Sequence, residues 1–484
     1  MKNKKNTNMK DYVILNGKCT INVGVTTIGK NFFEAQDKLE IKEVEIPSTV
    51  TKIIYYAFDE CKWLERINIP SSVTEIGESV FSDCRSLKSI DIPSSVTEIE
   101  GSTFAGCRRL ERINIPSSVT KIGNYAFQGC ESLESIIIPS SVTEIGEDAF
   151  QDCESLVNIS VLGSLTKINK DCFWGCKKLK AIEIPSSVTE IGKNAFSSCE
   201  SLEKIEIPSS VIQIGQCAFH GCKSLKSIVI PSSVTEIGSD AWSRCECLEE
   251  VRIPASLTKI DCFSHCEKLK TIDLPSSVTE IGEVAFAGCV SLETIELPSS
   301  IKKIGEEAFE NCISLKSLDI PSSVTEIGKR AFSNCGLESI VLPSSIKKIG
   351  ENAFSYCKEL EHVVLPRVKK ICNDTFYWCS SLKMIEIPSS VKKICKRAFG
   401  KCESLESIVI PSSVTEIEEE AFIECKRLER IEFQSSEIEL DYCIFDSVTL
   451  HALKSIVVPK GKVLYYKEAL HGGHEANRVV EKQD

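Results

Sequence analysis

The sequence predicts a solenoid of about 18 stacked coils, of the α/β class, with a parallel β-sheet on one face and short irregular, β or helical-turn segments on the other. Of the 17 prolines, 16 recur at one position of a repeat, mostly 23 residues apart. An aromatic residue, with a cysteine three positions later, recurs in 17 copies. Because 23 residues cannot enclose a core, the apolar side chains of each repeat must be buried by the repeats before and after it.

Each element of the unit CxxLxxIxIPSSVTEIGxxAFxx has a structural reason. In the copy around Ile67, alternating apolar and polar residues predict a short strand with one buried face, and identical strands must stack in parallel. Pro70 lacks an N–H and ends that strand, and the two serines after it suit a turn. Val73 and Ile76 are predicted to point inward on the return path. Gly77 is predicted to take a positive φ.

Composition and charge exclude several classes of protein. The 484 residues are 42% hydrophobic and 26% charged, which is typical of packed globular chains and not of disordered, collagen-like or membrane-embedded ones. A net charge of −12 makes nucleic acid an unlikely partner. No apolar run is long enough for a transmembrane segment, and the N-terminal residues lack the apolar core of a signal peptide. A cytoplasmic monomer is expected, with a cell-surface or secreted location as the alternative.

The cysteines favour a column of buried thiols. Of the 25 cysteines, 17 occupy the repeat position, where stacked side chains point the same way and do not face each other for a disulfide. A structural zinc site is a weak candidate at residues on two adjacent repeats, namely Cys245, Cys247, Cys262, His265 and Cys266. The favoured interpretation is that they are ordinary repeat residues, with no metal and no cofactor.

No catalytic site is predicted. Phosphate-binding loops, GxSxG, HExxH and dinucleotide fingerprints are all absent from the sequence. Serine and glutamate abound only because PSSVTEIG recurs, and residues present in every repeat serve stacking. We therefore expect a protein that is not an enzyme.

The exposed strand positions carry charge patterns. After the strand leucine, lysine and glutamate alternate over eight repeats from Lys180 to Glu338, which places opposite charges next to each other in the stack. The position between the two strand isoleucines predicts an acidic inner face, formed by Asp91, Glu183, Glu206, Asp273, Glu296, Asp319, Glu386 and Glu432.

One region departs from the repeat and is the candidate binding surface. Where most repeats have Thr-Glu, three successive repeats have Lys-Lys, and the turn before the repeat cysteine carries aromatic residues. The residues are Lys347, Lys348, Tyr356, Lys369, Lys370, Tyr377, Trp378, Lys392 and Lys393. The favoured interpretation of such a charge run is a solvent-exposed face without a binding role, and a binding surface is the competing hypothesis.

The pattern LxxIxIPxxVxxIGxxAFxxC resembles the 23-residue repeat of the BspA-like, or Treponema-type, leucine-rich repeat family. The resemblance implies a leucine-rich repeat solenoid over residues 22–433, preceded by an N-terminal segment or cap at 1–21. It also implies that the cysteine of each repeat hydrogen-bonds to neighbouring backbone. The ending, with IVVPKGKVLYYKEAL, resembles the C-terminal cap of bacterial members, so 434–484 is expected to hold a degenerate coil, a VPKG turn and a short helix.

The sequence predicts the general class of function but no specific partner. The first hypothesis is a non-catalytic interaction scaffold that binds a protein or glycan partner through the repeat surface. The second is a secreted or cell-surface adhesin, which is what the resemblance implies. A third, weaker hypothesis is polyanion binding through the lysine patch.

Overall fold

The computed structural model of the protein describes residues 10–441, 443–470 and 478–482. The chain forms a parallel β-solenoid of about 20 turns with few helices, which confirms the predicted fold and lies close to the predicted number of coils. The chain divides into two compact units, of which the first ends at Glu246 and the second begins at Cys247. Residues 1–9 of the predicted N-terminal segment, and 442, 471–477 and 483–484 of the predicted C-terminal cap, lie outside the described residues.

The first unit contains one short helix, α1 (Ala35–Lys38), among its described residues. Its strands are β1 (Tyr12–Leu15), β2 (Lys18–Ile21), β3 (Thr27–Ile28), β4 (Glu43–Glu45), β5 (Lys52–Ile53), β6 (Arg66–Asn68), β7 (Glu75–Ile76), β8 (Ser89–Asp91), β9 (Glu98–Ile99), β10 (Arg112–Asn114), β11 (Lys121–Ile122), β12 (Ser135–Ile138), β13 (Glu144–Ile145), β14 (Asn158–Val161), β15 (Lys167–Ile168), β16 (Ala181–Glu183), β17 (Glu190–Ile191), β18 (Lys204–Glu206), β19 (Gln213–Ile214), β20 (Ser227–Val229) and β21 (Glu236–Ile237).

The second unit has helices α2 (Ser447–Ala452) and α3 (Val463–Ala469) near its C-terminal end. Its strands are β22 (Glu250–Arg252), β23 (Lys259–Ile260), β24 (Thr271–Asp273), β25 (Glu280–Ile281), β26 (Thr294–Glu296), β27 (Lys303–Ile304), β28 (Glu326–Ile327), β29 (Ser339–Val341), β30 (Lys348–Ile349), β31 (His362–Val364), β32 (Lys370–Ile371), β33 (Lys393–Ile394), β34 (Ser407–Ile410), β35 (Glu416–Ile417), β36 (Arg430–Phe433), β37 (Glu439–Leu440), β38 (Ser455–Val458) and β39 (Val479–Glu481).

A typical coil contains one long strand and one two-residue strand, and each pairs in parallel with its counterpart in the next coil. β6 pairs with β4 so that Ile67 lies beside Val44, and β7 pairs with β5 so that Ile76 lies beside Ile53. Ile67, Val73 and Ile76 are buried, as the alternation in the sequence predicts. The two ladders therefore form two walls of a continuous apolar core.

The third wall is a series of turns held by its own ladder of hydrogen bonds. The N–H of Phe81 donates to the Thr103 carbonyl of the next coil at 2.8 Å, and the N–H of Asp83 donates to the Ala105 carbonyl at 2.7 Å. Asp83 has a φ of 55°, in the left-handed region that lets these turns close. The backbone groups that no strand satisfies are paired in this way.

The prediction of a positive φ for Gly77 is wrong, because the left-handed residues lie two and six positions later, at Ser79 and Asp83. Glycine is favoured at 77 for a different reason. A Cβ there would lie 2.9 Å from the backbone nitrogen of Tyr55 in the preceding coil. Two coils approach too closely at this point for a side chain on an unshifted backbone.

Stacked aromatic rings fill the core beside the third wall. From Phe58 to Trp242 in the first unit, successive ring centroids lie 5.2 to 5.7 Å apart with planes within 11° of parallel. From Phe263 to Phe422 in the second unit, the spacing is 5.4 to 6.1 Å. Within each unit, a ring that lies between two others packs against both of them, and these contacts contribute beyond simple burial.

Thiols and hydroxyls satisfy carbonyls between coils. Cys107 Sγ donates to the Phe81 carbonyl at 3.1 Å, and the second serine of the turn, Ser118, donates to the Val96 carbonyl at 2.6 Å. The same two bonds recur along both units, which confirms that the repeat cysteines bond to neighbouring backbone. No disulfide joins any cysteines of the described residues. Burial raises the pKa of the Cys61 thiol to about 12.

Candidate interaction site

Every one of the 17 residues that precede a repeat cysteine adopts the left-handed conformation, with φ between 50° and 73°. Nine of these residues are glycine, asparagine or aspartate, the residue types that enter this region most readily. Tyr356 and Trp378 occupy the position in two successive coils, with φ values of 63° and 61°. Bulky aromatic residues are unfavourable in this conformation, so the chain places them here against its local preference.

The three predicted aromatic residues form one cluster. The Tyr356 ring centroid lies 5.4 Å from that of Trp378 and 5.8 Å from that of Tyr377, and the Tyr377 and Trp378 centroids are 6.4 Å apart. Tyr356 is 38% exposed, and the other two side chains are partly exposed. The cluster thus offers rigid aromatic area at the surface.

Cations that the sequence analysis did not single out surround this cluster. Lys401 Nζ lies 4.6 Å from the Trp378 ring centroid, and Lys358 Nζ lies 5.3 Å from it. The Arg397 guanidinium lies 5.4 Å from the centroid of the Tyr377 ring. Neighbouring coils supply these side chains, so each lies some 20 residues from its ring in sequence and in contact with it in the fold.

Acidic partners hold two of these cations in place. Arg397 Nε lies 2.9 Å from a carboxylate oxygen of Asp374. Burial raises the pKa of the Asp374 carboxyl, although the nearby guanidinium opposes that shift. Lys401 Nζ lies 3.3 Å from Glu424, and hydrogen bonding to that carboxylate raises the pKa of Lys401. The cluster of Tyr356, Tyr377 and Trp378 therefore has a fixed, positively charged border.

The predicted lysines lie in successive coils, at the short strands and just before them. Lys348 Nζ is 2.7 Å from Glu326, which raises its pKa, and Lys393 Nζ is 2.6 Å from both Glu416 and Glu418. The remaining lysines have no ion pair among the described residues; they are Lys347, Lys369, Lys370 and Lys392. All four are exposed.

A groove of about 990 Å³ runs along this lysine surface. Seven of the 16 residues that line it are basic and three are acidic. Lys303, Lys347 and Lys370 are among the lining residues, whereas Tyr356, Tyr377 and Trp378 are not. The structure thus brings the predicted lysines together and the predicted aromatics together, at two separate places on the coils.

The predicted acidic face is solvent-exposed but mixed in character. Seven of the eight predicted acids are exposed, and Glu183 pairs in register with Glu206. Glu432 is the exception, because it is buried and bonded to Arg430 at 2.9 Å and to Lys482 at 2.7 Å. Aliphatic side chains missed by the sequence analysis occupy the same exposed position in other coils, namely Ile137, Val229, Val341, Val364 and Val409.

Two residues of the weak zinc candidate have other roles in the fold. Cys245 Sγ donates to the Phe219 carbonyl at 3.3 Å, as the other repeat thiols do. His265 occupies a left-handed position with a φ of 56°. Within the described ranges, no group of three or more His, Cys, Asp or Glu side chains has the arrangement of a metal site.

The stacked parallel strands, the aromatic column and the hydrogen-bonding cysteine define a leucine-rich repeat protein. The profile of the BspA type leucine rich repeat region, which comprises six copies, matches residues 26–157, 144–262, 248–361 and 347–470. The chain belongs to this family. Leucine-rich repeat proteins of this kind are generally protein-interaction scaffolds and typically not enzymes.

Solved structures of bacterial leucine-rich repeat proteins are similar to this chain. One from Bacteroides ovatus is 34% identical over 75% of this chain and 88% of its own, with a TM-score of 0.62. One from Eubacterium ventriosum is 26% identical over 67% and 92%, with a TM-score of 0.44. A leucine rich cell surface protein from Faecalibacterium prausnitzii is 26% identical over 87% and 93%, with a TM-score of 0.38.

No curated protein matches the chain. In the part of the chain that the structure describes, no helix has the length and apolar character needed to cross a lipid bilayer.

Proposed function

We propose that the chain is a non-catalytic interaction scaffold that binds a protein partner through the cluster of Tyr356, Tyr377 and Trp378. The observation that carries this proposal is the presence of two large aromatic residues at a left-handed position that glycine, asparagine and aspartate otherwise favour. Residues that oppose the local preference of a fold are concentrated at functional sites. Partly exposed aromatic rings next to cations are also typical of binding hot spots.

The cations favour an acidic protein surface over a glycan. Sugars stack on open aromatic faces, but Lys401 and Lys358 both lie over the Trp378 ring. Lys358 has no ion pair among the described residues, so its charge is available to a carboxylate. The local positive potential at these cations also attracts an acidic partner, which the chain's net charge of −12 would otherwise repel.

The test uses a variant that removes the rings and suits the backbone. Asparagine occupies the same left-handed position at Asn334, so we combine Tyr356→Asn with Trp378→Asn. Relief of the unfavourable conformation, up to about 1 kcal/mol, offsets part of the lost ring packing. The variant is therefore expected to fold like the parent, which circular dichroism and a urea unfolding midpoint would establish.

Binding is compared by affinity capture from cell extracts over a series of salt concentrations. We expect the doubly substituted protein to recover at least one specific partner more than tenfold less efficiently than the parent. Glu60→Asn is the matched control, because Glu60 occupies the same position with a φ of 59° in another coil. Equal recovery of every partner by the parent and a folded double variant would refute the proposal.

A further inference from the structure

We infer that the groove lined by Lys347, Lys369 and Lys370 is a second binding site, whose ligand is a linear sulfated polysaccharide. The groove lies apart from the aromatic cluster, and the inference is independent of the function proposed above. Three features support it: a break in the charge pattern, lysines without acidic partners, and a break in the strand ladder that opens the groove.

The first residues of the short strands alternate in charge from Lys259 to Lys348. Lys259 lies beside Glu280, followed by Lys303, Glu326 and Lys348, each in register with the next. Alternation gives each side chain neighbours of opposite sign about 4.8 Å away. For this reason, most charges on these strands have their counterions within the protein.

This alternation ends at Lys348. The next short strands begin with Lys370 and Lys393, which are direct register partners of like charge. The preceding position, threonine in most coils, is Lys347, Lys369 and Lys392 in the same three coils. Like charges side by side are destabilising in a free sheet, and a bound anion would remove that repulsion.

A shortened turn opens the surface at the same point. Arg367 alone separates Pro366 from Val368, where most other coils have two serines. Among the described strands, no pairing joins β30 to β32, although the neighbouring short strands are paired. In their place, Cys372 Sγ donates to the Ile349 carbonyl at 3.1 Å. The gap leaves room between two rows of lysines for a ligand chain.

The dimensions suit an extended polymer. The lysines that line the groove run from Lys303 to Lys370 over three coil steps, which at about 4.8 Å per step span roughly 14 Å. A small anion would meet only part of this row, whereas a chain with repeated anionic groups can contact all of it. Multiple contacts release counterions, so the affinity should fall steeply with salt.

The groove chemistry favours a sulfated glycan over other polyanions. No aromatic residue lines the groove, so nucleic-acid bases have no surface on which to stack. Lysine supplies point charges that suit sulfate groups without the forked geometry that selects carboxylates. Exposed Glu351 and Glu306 also line the groove, and carboxylates accept hydrogen bonds from sugar hydroxyls, which a polyphosphate chain does not offer.

The experiment measures binding of a fluorescent heparin oligosaccharide by anisotropy over a salt series. The test variant carries Lys347→Thr and Lys369→Thr in the groove and Lys392→Thr in the next coil, which restore the residue that most coils have at this position. We expect a loss of affinity of more than tenfold and a shallower salt dependence. A folded variant that binds as tightly as the parent would overturn the inference.

Matched controls separate this site from general charge effects. The control variant replaces three exposed lysines outside the groove with threonine, namely Lys268, Lys270 and Lys316. It changes the net charge as much as the test variant does and should alter the affinity for heparin less than twofold. Glu351→Ala should weaken heparin binding if the carboxylate accepts hydroxyl bonds. Stronger binding by that variant would refute the assigned glycan contact.

Competition identifies the ligand class. Desulfated heparin should fail to displace the probe, which would support sulfate recognition. Displacement at lower concentration by polyphosphate, single-stranded DNA or polyglutamate, compared at equal charge, would contradict the sulfated-glycan assignment.

Discussion

Truncation of Phe309 to alanine measures how strongly the aromatic column holds adjacent coils together. The ring is fully buried and lies 5.5 Å from both the Phe286 and Phe332 rings. Loss of its burial costs about 2 to 3 kcal/mol. The cavity and the two lost ring contacts raise the expected cost to about 3 to 5 kcal/mol.

Equilibrium urea unfolding followed by circular dichroism is the assay. Because coils interact chiefly with their neighbours, the expected result is an earlier transition of the second unit. Ile313→Ala is the control in the same coil, since that side chain is 55% exposed and its removal should cost less than about 1 kcal/mol. Phe445→Ala should fall between the two, because Phe445 packs against the terminal ring of the column, Phe422, at 5.9 Å. If Phe309→Ala and Ile313→Ala unfolded at the same urea concentration, the ring column would contribute nothing to stacking.

Three further predictions test the repeat positions. In the native protein at pH 8, a thiol reagent should label the exposed Cys443 fast. It should label the repeat thiols slowly, because burial raises the pKa values of those thiols. Prompt labelling of most of the 25 thiols would contradict this prediction. Lys316→Glu should destabilise the protein by about 0.2 to 1 kcal/mol. Adding Glu338→Lys should recover part of the loss, since the charged groups of these two side chains lie 3.3 Å apart. If stability were not recovered, the charge alternation would have no energetic role. Ser118→Ala should cost about 0.5 to 1.5 kcal/mol and its exposed neighbour Ser117→Ala almost nothing, as measured by urea midpoints.

Periodicity predicts most of the fold because each coil repeats the same contacts. The strand at Ile67, the inward side chains at Val73 and Ile76, and the bonded thiol all follow from positions that recur in the sequence. Gly77 shows where this reasoning fails. A recurrent glycine indicates a special backbone position but does not distinguish a positive φ from a close approach of two chains, and only the structure shows the approach to Tyr55.

The candidate sites were only partly predictable, since their missing members come from other coils. Tyr356 and Trp378 stood out as departures from the repeat, whereas Arg397 and Lys401 reach their rings from a following coil. Glu432 looked like one more exposed acid, and its burial depends on Lys482, 50 residues further along the chain. Contacts of this kind have no periodic signature in the sequence.

A regular repeat makes its exceptions informative, but only some of them are compensated within the fold. Asn169 replaces the glycine that most coils have at its position, and its side-chain amide donates to the Ile145 carbonyl at 2.6 Å, so the protein itself satisfies the exception. Lys369 and Lys370 depart from the repeat and have no such partner among the described residues. Because unsatisfied charge and unfavourable backbone conformations lower stability, selection for stability alone would favour threonine at 369 and asparagine at 378. We therefore propose that a ligand, and not the fold, accounts for the sequence at these uncompensated exceptions.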